Sequence, residues 1–193
     1  MLLEKLKIAE RKKAKLLRSG LHTRMKCASS EGISSHIKNF LKNRPGVMTV
    51  AAYMAIHTEI DLTPAISNLR QLRKTICLPV IVSKNQPLIF RVWNNNSRLV
   101  EGEFNILVPD SKELLEPDLI LCPMLRFDRL GYRLGYGGGF YDRTIAHLKE
   151  KKPVFTLGCA YSEQISQEDL PRGKHDKPLD AVATENGVIF FDR

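Results

Sequence analysis

Apolar positions recur along this chain with two periods, and the alternation between them predicts its elements. Residues 3–18 read as a helix, in which Leu3, Leu6, Leu16 and Leu17 interrupt a charged surface and no Gly or Pro intervenes. A second helix is expected over 30–41, with Ile33, Ile37, Phe40 and Leu41 on one face, ended by Arg44-Pro45-Gly46. Residues 47–53 are nearly all apolar, as in a central strand covered on both sides. Asp61 is placed to cap a helix running to Arg73, with Pro64 in its first turn. Residues 75–82 form the next apolar strand, and 88–93 alternate as a half-covered strand would.

From 94 to 117 the pattern weakens to short turns and one brief strand near Ile106. Residues 118–122 (DLILC) again read as a buried strand, stopped by Pro123. A glycine-rich stretch follows, then a helix over 140–150, a strand over 154–161, and two short strands, 180–183 and 188–191, around Glu185-Asn186-Gly187. Strands alternating with helices predict an α/β sandwich with a mainly parallel sheet. A length of 193 residues suits one domain over 1–193, with a core large enough to need no disulfide or metal staple.

Charge refines this picture at one end only. Residues 1–26 hold nine Lys and Arg against Glu4 and Glu10, and so carry +7 of the chain's +9. A solvated helix face accounts for most of them; nucleic acid or a polyanionic small ligand such as a nucleotide are the sharper readings. Cys27, Cys77, Cys122 and Cys159 lie too far apart for a zinc motif and read as small buried hydrophobes in a reducing compartment. No HxxxH or HExxH spacing occurs, and no apolar run approaches the ~18–20 residues that cross a bilayer. The expectation is a soluble cytoplasmic protein with neither a membrane span nor a transition-metal site.

Gly131, Gly135, Gly137, Gly138 and Gly139 fall within nine residues, after a strand and before a helix. Glycine lets backbone approach a ligand closely, and exposed N–H groups at a helix N-terminus favour an anion. The stretch is neither a P-loop nor a dinucleotide fingerprint, because GxxxxGK[ST] is absent and Phe140 stands where a third fingerprint glycine would fall. A phosphate cradle and a slack turn are the two readings; the interleaved Arg133, Tyr136, Tyr141 and Asp142 favour the cradle. Arg133 offers a planar fork for phosphate oxygens. Asp142 is either a Mg²⁺ ligand or a first-turn acid favoured by the helix dipole.

The run Asp128…Gly131-Tyr-Arg-Leu-Gly-Tyr-Gly-Gly-Gly-Phe-Tyr-Asp142 resembles the signature of 5-formyltetrahydrofolate cyclo-ligases, also called 5,10-methenyltetrahydrofolate synthetases. Tyr53–Glu59, Leu78-Pro79, Asp118–Pro123 and His175-Asp176…Asp180–Glu185 extend the resemblance over nearly the whole chain. It implies a three-layer α/β/α, Rossmann-like sandwich. It also implies conversion of 5-formyltetrahydrofolate and MgATP to 5,10-methenyltetrahydrofolate, ADP and phosphate. By matching position, Lys7 and Arg11 fall on the nucleotide-contacting Lys and Arg. Arg133, Leu134, Gly135, Tyr136, Gly137, Gly138, Gly139, Phe140 and Tyr141 fall on the ATP loop, with Arg133 and Tyr141 as catalytic candidates. Met54, Glu59 and the run from Tyr136 to Phe140 fall near folate, and Asp142 and Asp176 on the metal positions. Phe140 replaces a tyrosine common in the family, and contacts within 94–117 stay unassigned. The implied partner is a small-molecule folate, with or without a polyglutamate tail, bound by a monomer without nucleic acid. Two rivals remain: an α/β enzyme acting on a phosphorylated sugar or CoA ester, and a basic nucleic-acid-binding protein.

Overall fold

The computed structural model describes residues 2–94 and 96–192. It opens with one helix, α1 (Leu2–Lys42), where two were expected. The separate helices over 3–18 and 30–41 are corrected: the polar, weakly periodic residues between them stay helical. No proline interrupts the chain before Pro45, and Gly20 faces open space, so that glycine costs only ~1 kcal/mol relative to alanine. The far half is held by packing, with Ile33, Ile37, Phe40 and Leu41 all buried.

The face that α1 turns inward also differs from the leucine pattern. Leu16 is 71% exposed, whereas Arg18 is 2% exposed and Ala14 and Leu21 are fully buried. Lys7, Arg11, Ala14, Arg18 and Leu21 recur at the four- and three-residue spacing of one helical stripe. That stripe, cations included, meets the body of the protein.

β1 (Thr49–Ala51) leads through α2 (Thr63–Gln71) to β2 (Thr75–Val80). The expected Asp61 cap is corrected: Leu62 is the N-cap of α2 and no side chain caps the helix, while Asp61 Oδ1, one residue earlier, accepts from Thr63 N at 2.9 Å and Thr63 Oγ1 at 2.7 Å in a local turn ahead of it. β3 (Ile89–Val92) returns antiparallel to β2. In place of one brief strand near Ile106 there is a ribbon of β4 (Leu99–Glu101) and β5 (Leu107–Pro109), with Val100 opposite Val108. β6 (Leu119–Pro123) precedes a second small ribbon of β7 (Arg126–Phe127) and β8 (Arg133–Leu134) inside the stretch read as loop. α3 (Phe140–Lys151), β9 (Phe155–Cys159), β10 (Ala181–Thr184) and β11 (Gly187–Phe190) complete the chain.

Across the main sheet the order is β11-β10-β9-β6-β1-β2-β3, with every inner pairing parallel and both edge pairings antiparallel. Strand side chains alternate between two cores. Val50, Leu119, Leu121, Leu157 and Ala183 pack with α1 and α2; Ala51, Ile120, Cys122 and Val182 pack with Ile145 and Leu148 of α3. Helices thus cover both faces, giving the three-layer α/β/α sandwich, and each large side chain so buried contributes about 1.5–3 kcal/mol. From β1 the chain winds one way to β2; from β6, on the other side of β1, it winds the opposite way to β9. Loops leaving the carboxyl ends of β1 and β6 therefore diverge and leave a crevice, the usual ligand position in such sheets.

Candidate active site

Above β1 and β6 the crevice widens into a cavity of about 590 Å³. The loop after β1 gives it Tyr53, Met54, His57 and Glu59; the glycine-rich segment gives it everything from Arg133 to Asp142. α1 adds Lys7 and Arg11, the tip of the β4–β5 ribbon adds Phe104 and Ile106, and Asp176 closes the rim. Every residue singled out from the sequence for nucleotide, folate or metal borders this one space: Lys7, Arg11, Met54, Glu59, Arg133, Leu134, Gly135, Tyr136, Gly137, Gly138, Gly139, Phe140, Tyr141, Asp142 and Asp176.

The glycine-rich loop owes its shape to backbone that other residues resist. Gly137 has φ +105° and Gly139, the N-cap residue just ahead of α3, has φ +65°. A Cβ on Gly137 would also lie only 3.1 Å from Arg11 Cζ, so loop and helix are in contact there. Arg11 Nε donates to Gly135 O at 3.2 Å while its Nη1 pairs with Glu4 at 2.9 Å. Upstream, the buried Asp128 pins the approach to the loop, its Oδ1 accepting from Leu130 N and Tyr132 N and its Oδ2 from Leu170 N. The first turn of α3, from Phe140 to Asp142, borders the cleft at the positive end of the helix dipole.

Arg133 is more committed than its position in the sequence suggests. Its side chain is 4% exposed, with Nη1 donating to Lys177 O at 2.7 Å and Nη2 to Asp142 Oδ1 at 3.1 Å. Lys177 N also donates to Asp142 Oδ1, at 3.0 Å. Lys7 Nζ meets Asp176 Oδ2 at 2.5 Å, and Gly173 N donates to the same oxygen at 2.6 Å. These bonds fall on one oxygen of each carboxylate. Among the described residues no group of three or more His, Cys, Asp and Glu is placed to hold a metal ion. Asp142 and Asp176 both border the cleft, and carboxylates are the donors Mg²⁺ takes, one or two at a time, with its shell completed by water and substrate phosphates.

On the β1 side, Glu59 is 5% exposed. Burial pushes its carboxyl up to about 7, against the smaller opposing pull of the Ile56 amide, which donates to Oε2 at 3.0 Å, and of Arg18. Tyr136 and Tyr141 border the same space with phenols raised by burial, so both stay protonated donors near neutral pH. Cys122 lies beneath the site, but burial raises its thiol to about 12, so it offers no thiolate nucleophile.

Three residues at or beside the site escaped the sequence reading. Arg18 lies behind Tyr136 and Glu59, and its spacing from Lys7 and Arg11 on one helical stripe was the available signal. Phe104 adopts φ +57° at the tip of the β4–β5 ribbon, its ring centroid 6.5 Å from that of Phe140. His57, at φ +52°, faces Tyr136 at 6.1 Å between centroids. No local pattern distinguishes the last two from ordinary loop residues.

Known proteins match most of this chain. The model of the 5-formyltetrahydrofolate cyclo-ligase family matches residues 4–185. The 5-formyltetrahydrofolate cyclo-ligase of Escherichia coli is 35% identical over 146 residues, covering 72% of this chain and 79% of that protein. Its Haemophilus influenzae namesake is 29% identical over 170 residues, covering 84% and 89%. Among solved structures, the 5,10-methenyltetrahydrofolate synthetase of Aquifex aeolicus superposes with a TM-score of 0.75 at 31% identity, covering 100% of this chain and 94% of the other. The Mycoplasma pneumoniae 5,10-methenyltetrahydrofolate synthetase gives 0.74 at 25% identity, covering 93% and 98%. A sheet whose switch point carries the signature loop, joined to a match over nearly the full length, places this chain in the 5-formyltetrahydrofolate cyclo-ligase family.

Proposed function

We propose that this cleft converts 5-formyltetrahydrofolate to 5,10-methenyltetrahydrofolate at the expense of ATP, with ADP and phosphate released. The observation that carries the reading is one cavity bordered both by a glycine-rich loop with two α1 cations beside it and by a buried carboxylate, Glu59. The first is chemistry for a polyphosphate; the second is an acceptor for the N–H groups of a reduced pterin.

The reaction needs little covalent help from protein. The formyl oxygen takes the γ-phosphoryl group of ATP, and ADP leaves. N10 then bonds to the activated carbon, the C–O bond to phosphate breaks, and the N10 proton departs. What remains for the chain is to align two substrates and offset phosphate charge. Lys7, Arg11 and the loop amides from Gly135 to Gly139 would hold the phosphates. Arg133 would add its charge there while its fork fixes Asp142. Asp142 and Asp176 would hold Mg²⁺, which supplies charge neutralisation at the phosphates. Glu59 and Met54 would orient the pterin, with Tyr136 and Phe140 shared between the two substrates and the Tyr141 phenol donating to charge that develops between them.

The same reading makes 1–193 one working unit and a monomer in the cytoplasm, its inward α1 cations serving the cleft rather than nucleic acid. Among the described residues no helix is long and apolar enough to cross a membrane. A coupled assay for ADP tests the reading: release should require 5-formyltetrahydrofolate and should not be supported by phosphorylated sugars or CoA esters. ADP release indifferent to folate would reject it.

A further inference from the structure

Arg18 is an unusual place to find a cation. It is 2% exposed, and its guanidinium reaches three segments that converge on the cleft. Nε donates to Thr58 Oγ1 at 3.0 Å in the loop after β1. Nη1 donates to Met124 O at 2.9 Å where the chain leaves β6. Nη2 donates to the Tyr136 hydroxyl in the glycine-rich loop. Nη1 also stands 4.0 Å from Glu59 Oε1. Taking a guanidinium out of water is costly and is sustained only when its donors are filled in good geometry.

We propose that Arg18 is a positioning residue for the folate reaction, a brace that fixes Tyr136 and Glu59 relative to each other across the two loops. The assignment rests on the reading of the cleft given above. Arg18 borders no substrate space itself; it works through the groups it holds. A planar fork suits the task because three acceptors on three segments are met by one rigid group, which a lysine ammonium on a flexible stem does not reproduce.

The brace has an electrostatic consequence. The groups facing Glu59 are the Ile56 amide and the nearby His57 on its own loop, Tyr53 at the exit of β1, Tyr136 from the glycine-rich loop, Tyr141 from α3 and Arg18 from α1. The three phenols are raised by burial and stay neutral through the physiological range. Arg18 is thus the permanent cation beside this carboxylate, and it favours the anionic form that accepts from a pterin.

The test is the pH profile of kcat/KM for 5-formyltetrahydrofolate in wild type, Arg18→Met and Arg18→Lys, each repeated in a His57→Gln background as a control. In Arg18→Met the acid limb should move up by about one pH unit, and KM for folate should rise roughly tenfold, more than KM for ATP rises through the shared Tyr136. Arg18→Lys keeps charge and stem, so its limb should stay within about 0.3 unit of wild type while KM for folate still rises about fivefold for want of the fork. This second variant decides the matter even if Arg18→Met fails to fold. An unmoved limb in Arg18→Met, or a folate KM in Arg18→Lys equal to wild type, would overturn the assignment. Wild-type protein that makes no methenyltetrahydrofolate would instead overturn the reading beneath it, and the assignment with it.

Discussion

Lys7 Nζ on the first turns of α1 lies 2.5 Å from Asp176 Oδ2 near the other end of the chain, and both side chains border the cleft. This ion pair ties the N-terminal arm to the segment ahead of β10, so the arm is part of the site wall. Asp176→Asn should release that tie and remove a proposed metal-side carboxylate together. We expect the Mg²⁺ concentration for half-maximal turnover to rise about tenfold, with less than about 1 kcal/mol lost in stability because the pair is partly exposed. Turnover measured across a Mg²⁺ series, alongside chemical denaturation, checks both.

Glu59 should make stability depend on pH in an uncommon direction. Burial holds its carboxyl at about 7 in the folded protein, above its ordinary 4.5. Between those values the native state keeps a proton that the unfolded chain has released. Its contribution to stability is therefore fully present below about pH 4.5 and lost as pH rises through about 7, by about 3 kcal/mol in all. Calorimetric melts of wild type from pH 5 to 8 should show this decline relative to Glu59→Gln. Parallel curves for the two proteins would remove the titration from Glu59.

Arg133→Ala removes donors from Asp142 Oδ1 and from the Lys177 carbonyl at a site where the arginine side chain is 4% exposed. A loss of about 2–4 kcal/mol in stability is expected, because partners of a buried charge are left behind. ATP-dependent turnover should fall at least about a hundredfold, more than the stability loss explains at temperatures where the variant is folded. Denaturation midpoints and ATP kinetics on the same preparation separate the two effects.

Gly137→Ala places a Cβ at φ +105° and 3.1 Å from Arg11 Cζ. The strained backbone costs about 1–3 kcal/mol, and the loop must shift away from α1 to relieve it. KM for ATP should rise at least about tenfold with a folded protein. Gly46→Ala, outside the cleft and with nothing within 4 Å, is the control and should stay within about twofold of wild type in stability-corrected binding.

Much of this fold is legible in the sequence because buried parallel strands and glycine-rich turns leave local marks. DLILC reads as a central strand from its apolar run alone, and the glycines from Gly131 to Gly139 mark the irregular backbone between that strand and the next helix, where Gly131, Gly137 and Gly139 take positive φ. What escaped is what depends on distant partners. The continuity of α1 through Gly20 follows from docking of Ile33, Ile37 and Phe40 on the sheet, which the polar middle of the helix does not announce. The inward turn of Lys7 and Arg11 to the cleft, and of Arg18 to the buried interior behind it, defies a hydrophobic pattern that would have buried Leu16. Phe104 and its ribbon lie in a stretch with weak alternation, held by pairing of Val100 with Val108 and by contact with Phe140 across the cavity.

On the proposed function, one cavity at the β1–β6 switch point brings ATP and a reduced folate together. The most direct test is the growth of methenyltetrahydrofolate absorbance when purified protein meets 5-formyltetrahydrofolate with and without MgATP. Product should appear only with MgATP and in step with one ADP per turnover. Equal formation without ATP, or none from folded protein under either condition, would contradict the account.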